Sequence, residues 1–212
     1  MRNYTYLALG DSYTIGEGLP AAENFPSQAI KIFNSGSGTA GQNRLIFGEP
    51  TIIAQTGWTT DELDTAIEAA GISQTYDVVS LLIGVNNQYR GRSVNEYKIQ
   101  FDHLLQSAII FAGNKVNHVF VLSIPDWGVT PFAEGQNRQE ISSSINSFNA
   151  TALAVCAQYK ITFIDITTSQ RANGDRPEFL APDGLHPSAR EYAKWAKKLV
   201  HAIQTNIQYG KY

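Results

Sequence analysis

A chain of 212 residues with 43% hydrophobic and 17% charged side chains has the make-up of one soluble globular domain, spanning 1–212, with enough apolar material for a sizeable core. A formal net charge of −3, a pI near 5.8 and 16 scattered Lys and Arg residues leave no basic footprint, so nucleic acid is not an expected partner. There is no apolar run of about 18 residues to span a membrane. Cys156 has no second cysteine to pair with, and it falls on a helical apolar face where core packing is its expected role. Strand-like sequence by Tyr4 leaves no room for a signal peptide, so with Met1 as the native start the expected location is the cytoplasm; a chain trimmed of a leader would look the same.

Tyr4 to Leu9 is an apolar run of strand character that stops at Gly10-Asp11-Ser12, so a hydroxyl stands where a buried strand gives way to a loop. Behind Pro26, the spacing of Ala29, Ile30 and Phe33 predicts a helix over 26–33. The Gly- and Ser-rich stretch 34–41 lacks the Gly-Lys-Ser ending of a phosphate loop and reads as a surface loop. Leu45 to Ala54 predicts a strand interrupted at Gly48 and Pro50, with Ile52, Ile53 and Ala54 as its buried part, followed by a loop through Gln55, Thr56, Gly57 and Trp58.

Thr59 and Glu62 have the spacing of a capping box ahead of Leu63, Ala66, Ile67 and Ala70, which predicts a second helix. The unbroken apolar run from Asp77 to Ile83 fits a central strand covered on both faces, ending in a turn at Gly84-Val85-Asn86-Asn87. Ser93 and Glu96 then form a second capping box, opening a helix that carries Tyr97, Phe101, Leu104, Leu105, Ala108 and Ile109. Val119 to Ile124 is the fourth strand, with Pro125-Asp126-Trp127-Gly128 as its terminal turn. A helix through Ile141, Ile145, Phe148, Ala152, Val155 and Tyr159 follows, then a fifth strand from Ile161 to Ile166 and a loop over 169–182. Ser188 and Glu191 form a third capping box for the last helix, which carries Tyr192, Trp195, Leu199, Ile203 and Ile207. Alternation of strands and helices predicts the α/β class: a three-layer α/β/α sandwich around a five-stranded parallel sheet, with the C-terminal strand ends along one edge.

On its own, Gly10-Asp11-Ser12 is equally an ordinary strand-to-turn transition with Ser as a helix cap. Asp183-Gly184-Leu185-His186 changes that balance, because a nucleophilic Ser needs an imidazole to take its proton and a carboxylate to fix the imidazole tautomer. Gly57 and Asn86, each bland as a turn residue, also fall at successive strand ends on the same edge. Asp126 and Asp165 are rivals for the carboxylate role, and Asp11 is expected to be a structural hydrogen-bonding residue. His103, His118 and His201 stand outside any motif. No group of His, Cys and carboxylates has ligand spacing and no Gly-rich strand-to-helix fingerprint for a nucleotide is present, so neither a metal nor an organic cofactor is expected.

These blocks, in this order, resemble the SGNH hydrolases, the GDSL family of esterases and lipases. Gly10-Asp11-Ser12 is similar to the first family block, Gly57 to the second, Gly84-Val85-Asn86 to most of the third and Asp183-Gly184-Leu185-His186 to the last. The resemblance implies a flavodoxin-like sheet and a serine ester hydrolase acting on a small-molecule ester through an acyl-enzyme. In that reading Ser12 is the nucleophile, His186 the base and Asp183 its orienting carboxylate, with the Ser12 and Gly57 amides and the Asn86 side chain as the oxyanion hole. Two features depart from common patterns. Asn87 stands where the family usually has Asp, which puts the bracing of that loop in doubt. Gly16 lies four residues after Ser12, which argues against the Gly-x-Ser-x-Gly nucleophile elbow.

Tyr13, Trp58, Tyr89, Trp127, Phe132 and Phe179 are bulky rings in the loops after the strands; they are expected to narrow the site to short acyl chains, with Trp58, Tyr89 and Trp127 binding substrate. Asn87, Gln88, Arg90, Arg92 and Arg138 suggest a hydrophilic or anionic alcohol portion. A lysophospholipase or thioesterase acting on longer acyl chains, and a catalytically silent binding module on the same fold, are the alternatives. The oligomeric state is not legible in the sequence.

Overall fold

A computed structural model describes residues 3–36 and 45–208. In chain order it holds strands β1 (Asn3–Tyr4) and β2 (Tyr6–Asp11), helices α1 (Ser12–Ile15) and α2 (Phe25–Ser35), strands β3 (Ile46–Phe47) and β4 (Thr51–Gln55), and helix α3 (Thr60–Ala70). Strand β5 (Val78–Leu82), helices α4 (Val85–Tyr89) and α5 (Val94–Phe111), strand β6 (Val119–Leu122), helix α6 (Arg138–Tyr159) and strand β7 (Thr162–Ile164) follow. Helices α7 (Thr167–Arg171) and α8 (Ala189–Ile203) complete the order. The main sheet runs β4-β2-β5-β6-β7 with every pairing parallel, the flavodoxin-like order in which the chain reverses direction of winding beside its first strand. Helices α2 and α8 pack together as one outer layer, and α5 packs against both α3 and α6 in the other.

The apolar runs explain the order. Every residue of β2, β5 and β6 is buried, as a parallel strand covered on both faces requires. Strand β4 departs from expectation: Ile52, Ile53 and Ala54 are only half-buried because β4 is the edge of the sheet. The expected break at Gly48 and Pro50 is real and leaves β3 paired with β1 in a separate two-stranded ribbon.

Helix boundaries follow their caps. Thr59 and Glu62 complete a reciprocal capping box for α3, and Asn24 and Ser93 accept from Ser27 and Glu96 amides to open α2 and α5. The box at Ser188 does not form. Ser188 Oγ donates to the Glu178 carbonyl, while the buried Glu191 carboxylate accepts from Ser169 Oγ, Trp195 Nε1 and Lys194 Nζ. Glu191 thus ties α8 to the α7 region. The loop expected over 169–182 contains the end of α7 and a 3-10 turn at Pro177–Phe179. Of the loop expected over 34–41, Asn34 and Ser35 belong to α2 and Gly36 caps it, and the rest lies outside the described residues.

Candidate active site

Ser12 is the first residue of α1, not a loop residue. The Asp11 side chain caps that short helix by accepting the Tyr13 N–H at 3.0 Å, and Gly16 ends it in the left-handed region at φ 79°. So tight a fold-back demands glycine at position 10. A Cβ there would lie 2.1 Å from Thr14 Oγ1 and 2.5 Å from the Leu82 carbonyl oxygen.

The segment before α8 is shaped by Asp183. Its Oδ1 accepts the N–H groups of Leu185 at 2.9 Å and His186 at 3.0 Å, Gly184 turns the chain at φ 67°, and the Ala181 N–H returns to the His186 carbonyl at 2.7 Å. Asp183 Oδ2 remains for the imidazole, and His186 Nδ1–H donates to it at 2.6 Å. A carboxylate can only accept, so Nδ1 carries the proton and Nε2 keeps its lone pair. Nε2 lies 2.9 Å from Ser12 Oγ. Partial burial works to raise the Asp183 carboxyl, but the bonds from the His186 ring and the Leu185 and His186 amides outweigh it and hold the group below its ordinary range. The Tyr13 ring, with centroid 4.8 Å from that of the imidazole, backs the histidine from the core side.

Ser12, His186, Gly57 and Asn86 line one cavity of about 160 Å³, together with Tyr13, Thr56, Val85, Tyr89, Trp127 and other apolar side chains. The cavity sits in the crevice outside the carboxyl ends of β2 and β5, the two strands flanking the switch in sheet order. Gly57 has a reason beyond close approach: its φ of 84° is a conformation that L side chains rarely adopt. Asn86 and Tyr89 stand on α4, which the sequence offers only as a turn. Three residues apart on a helix, they share a face.

The bracing placed in doubt by Asn87 is intact. The buried Asn87 accepts the Thr60 N–H at 3.1 Å and donates to Thr60 Oγ1 at 2.7 Å, which releases the Thr60 hydroxyl hydrogen for Gln100 Oε1. A neutral amide does here what a carboxylate could do only by claiming that hydroxyl hydrogen.

Several expected substrate contacts lie elsewhere. Trp58 is half-buried against the core, outside the cavity lining, and contributes its carbonyl to Asn86. Phe179 is buried beneath Arg176, Arg190 and Lys194. Tyr89, Trp127 and Phe132 do line the cavity as one cluster, with Tyr89 and Trp127 edge to face at 5.3 Å. Arg90 is engaged by Glu62 and the Gly57 carbonyl, Arg92 by Asp61 and Glu96, and Arg138 by the Gly128 carbonyl, so the arginines brace loops. Asp126 is buried and ion-paired with Arg171, and Asp165 accepts the Thr168 N–H, so neither rival carboxylate is bonded to His186. No group of three or more His, Cys, Asp or Glu side chains among the described residues could hold a metal ion.

The sequence matches the GDSL-like lipase/acylhydrolase family over residues 8–194, and the chain belongs to that family, whose members are carboxylic ester hydrolases. No curated protein sequence matches it. Among solved structures, TesA superposes with a TM-score of 0.70 at 18% identity, covering 96% of this chain and 99% of its own. Axe2, an acetylxylan esterase from Geobacillus stearothermophilus, gives 0.71 at 16% identity with 94% of each chain covered. A lipase/acylhydrolase from Enterococcus faecalis gives 0.67 at 20% identity, with 95% and 96% covered. At such identities these likenesses speak to the fold, which is the one built above.

Proposed function

We propose that this chain hydrolyses short-chain carboxylic esters through an acyl-enzyme formed on Ser12. The observation that carries the reading is the continuous chain from Asp183 Oδ2 through His186 to Ser12 Oγ, with links of 2.6 and 2.9 Å. Ser12 Oγ attacks the ester carbonyl carbon as its proton passes to His186 Nε2, and the imidazolium is stabilised by Asp183. The carbonyl oxygen takes the negative charge and is held by the Ser12 and Gly57 N–H groups and the Asn86 amide. His186 then hands its proton to the leaving alkoxide, and the alcohol departs. Water, deprotonated by the same imidazole, attacks the acyl-Ser12 carbonyl and releases the acid and the free hydroxyl.

Cavity size supports a short acyl group. About 160 Å³ matches an engineered cavity of about 150 Å³ that takes benzene, and the lining is mainly apolar. The test is kinetic: Ser12→Ala and His186→Ala should each reduce turnover by several orders of magnitude while the protein stays folded, and the double variant should be hardly worse, because residues acting as one unit are not additive. Retention of most activity by either single variant contradicts the reading.

A further inference from the structure

The cavity at Ser12 ends on the rings of Tyr89, Trp127 and Phe132, yet the surface beyond Tyr89 and Trp127 does not close. A second hollow of about 370 Å³ begins on their other side, where Gln88, Gln136, Asn137, Glu140 and Ser144 join the same two rings. It has more than twice the room of the cavity and a different chemistry: amides, a hydroxyl and one carboxylate, with no Lys or Arg in the lining.

Resting on the hydrolase reading, we infer that this groove is the leaving-group subsite and that it takes a neutral carbohydrate, so that the substrate is a sugar carrying a short O-acyl group. A pyranose has an apolar C–H face and a rim of hydroxyls that each donate and accept; rings together with carboxamides match both. The aromatic part is preorganised. Trp127 Nε1 donates to Gln88 Oε1 at 2.7 Å, which fixes the indole and leaves the Gln88 NH₂ as a free donor. Tyr89, 54% exposed, and Phe132, 42% exposed, present ring surface that folding leaves uncovered at the mouth of the site. The Gln136 and Ser144 side chains make no hydrogen bond with other described residues, so their polar groups are available to a ligand.

Charge decides against an anionic alcohol. An anionic group would meet Glu140 and no cation, since Arg90, Arg92 and Arg138 all lie outside the lining of the groove. A quaternary ammonium would find rings and a carboxylate that keeps its charge while accepting from the Asn137 amide at 3.1 Å, so the choline ester is the competitor that the test must beat.

The experiment holds the acyl group constant and varies the alcohol. Acetyl esters of a neutral mono-, di- and trisaccharide are compared with p-nitrophenyl acetate, acetylcholine and acetylglycerol phosphate, in the wild type and in Ser144→Trp, which fills the groove from α6. The inference expects kcat/KM to rise at least 10-fold from the mono- to the trisaccharide ester, and Ser144→Trp to lower the ratio of trisaccharide ester to p-nitrophenyl acetate at least 10-fold. A flat saccharide series, or a higher kcat/KM for the choline or phosphate ester, overturns it while leaving the hydrolase reading standing. If no acetyl ester is turned over, the hydrolase reading fails, and the groove is then judged by titrating the deacetylated trisaccharide against tryptophan fluorescence. Saturable binding lost in Ser144→Trp supports the subsite; no binding overturns it.

Discussion

The Asn86 side chain donates one amide hydrogen to the Trp58 carbonyl oxygen at 2.9 Å, which locks the rotamer of an amide lining the cavity and leaves its second N–H uncommitted. A donor held that way costs no reorganisation when charge develops nearby. Asn86→Ala should lower kcat by about 10²- to 10³-fold with little change in KM, the magnitude associated with one oxyanion donor. Steady-state kinetics beside a thermal melt checks this: a large loss of melting temperature with normal turnover would make Asn86 a brace for the Trp58 loop instead.

Asp183 serves both backbone and imidazole, so its replacement should show two effects. Asp183→Asn offers His186 Nδ1 no obligate acceptor and permits the wrong tautomer, with an expected kcat loss of about 10³- to 10⁴-fold. Because the carboxyl is held below its ordinary range, it stabilises the fold above that range and the contribution fades as pH falls through the lowered value. Acid unfolding of the variant should therefore differ from wild type most at neutral pH and least in strong acid. A kcat within tenfold of wild type would contradict the role.

Asp11 has the opposite sign. Burial pushes its carboxyl up to about 7 against the lowering effect of the Tyr13 and its own backbone N–H groups, and its Oδ2 has no partner among the described residues. A raised value means that the stability of the protonated form is full below the unfolded value, is lost as pH rises from there, and is gone above about 7, a cost on the order of 4 kcal/mol. Asp11→Asn, which keeps the capping oxygen without the charge, should gain on the wild type in urea melts as pH rises from 3.8 to about 7, and gain no further above that. A difference independent of pH would show that Asp11 does not titrate there.

The acyl pocket should be short. With about 160 Å³ available, acetyl and butyryl esters should give higher kcat/KM than decanoyl esters. Every methylene that found a pocket would add about 0.8 kcal/mol of burial. A steady rise of kcat/KM with chain length would contradict the short pocket and favour a lipase or lysophospholipase.

Much of this was legible in the chain because strand ends announce themselves: apolar runs stop abruptly at Gly10-Asp11-Ser12, at Gln55 and at Gly84, and parallel winding forces those ends onto one edge. Short helices were not legible. Helices α4 and α7 are five residues each, too short for periodicity to show, and the tertiary bonds of Asn87 to Thr60 and of Gln170 to the Asp126 amide help to hold them. Side-chain direction was also out of reach. Nothing in the local pattern distinguishes Trp58, turned to the core, from Trp127, on the cavity wall, or shows that Arg90 is spent on the Gly57 carbonyl. The false capping box at Ser188 has the same origin, since the buried bonds of Glu191 to Ser169 and Trp195 replace a weak local one.

The central claim is that Ser12 is the nucleophile, and covalent capture reads it directly. A fluorophosphonate probe added to the folded protein, followed by digestion and mass spectrometry, should place the label on the peptide containing Ser12, and Ser12→Ala should take up none. Folded wild-type protein that stays unlabelled, or that carries the label on another residue, would contradict the account.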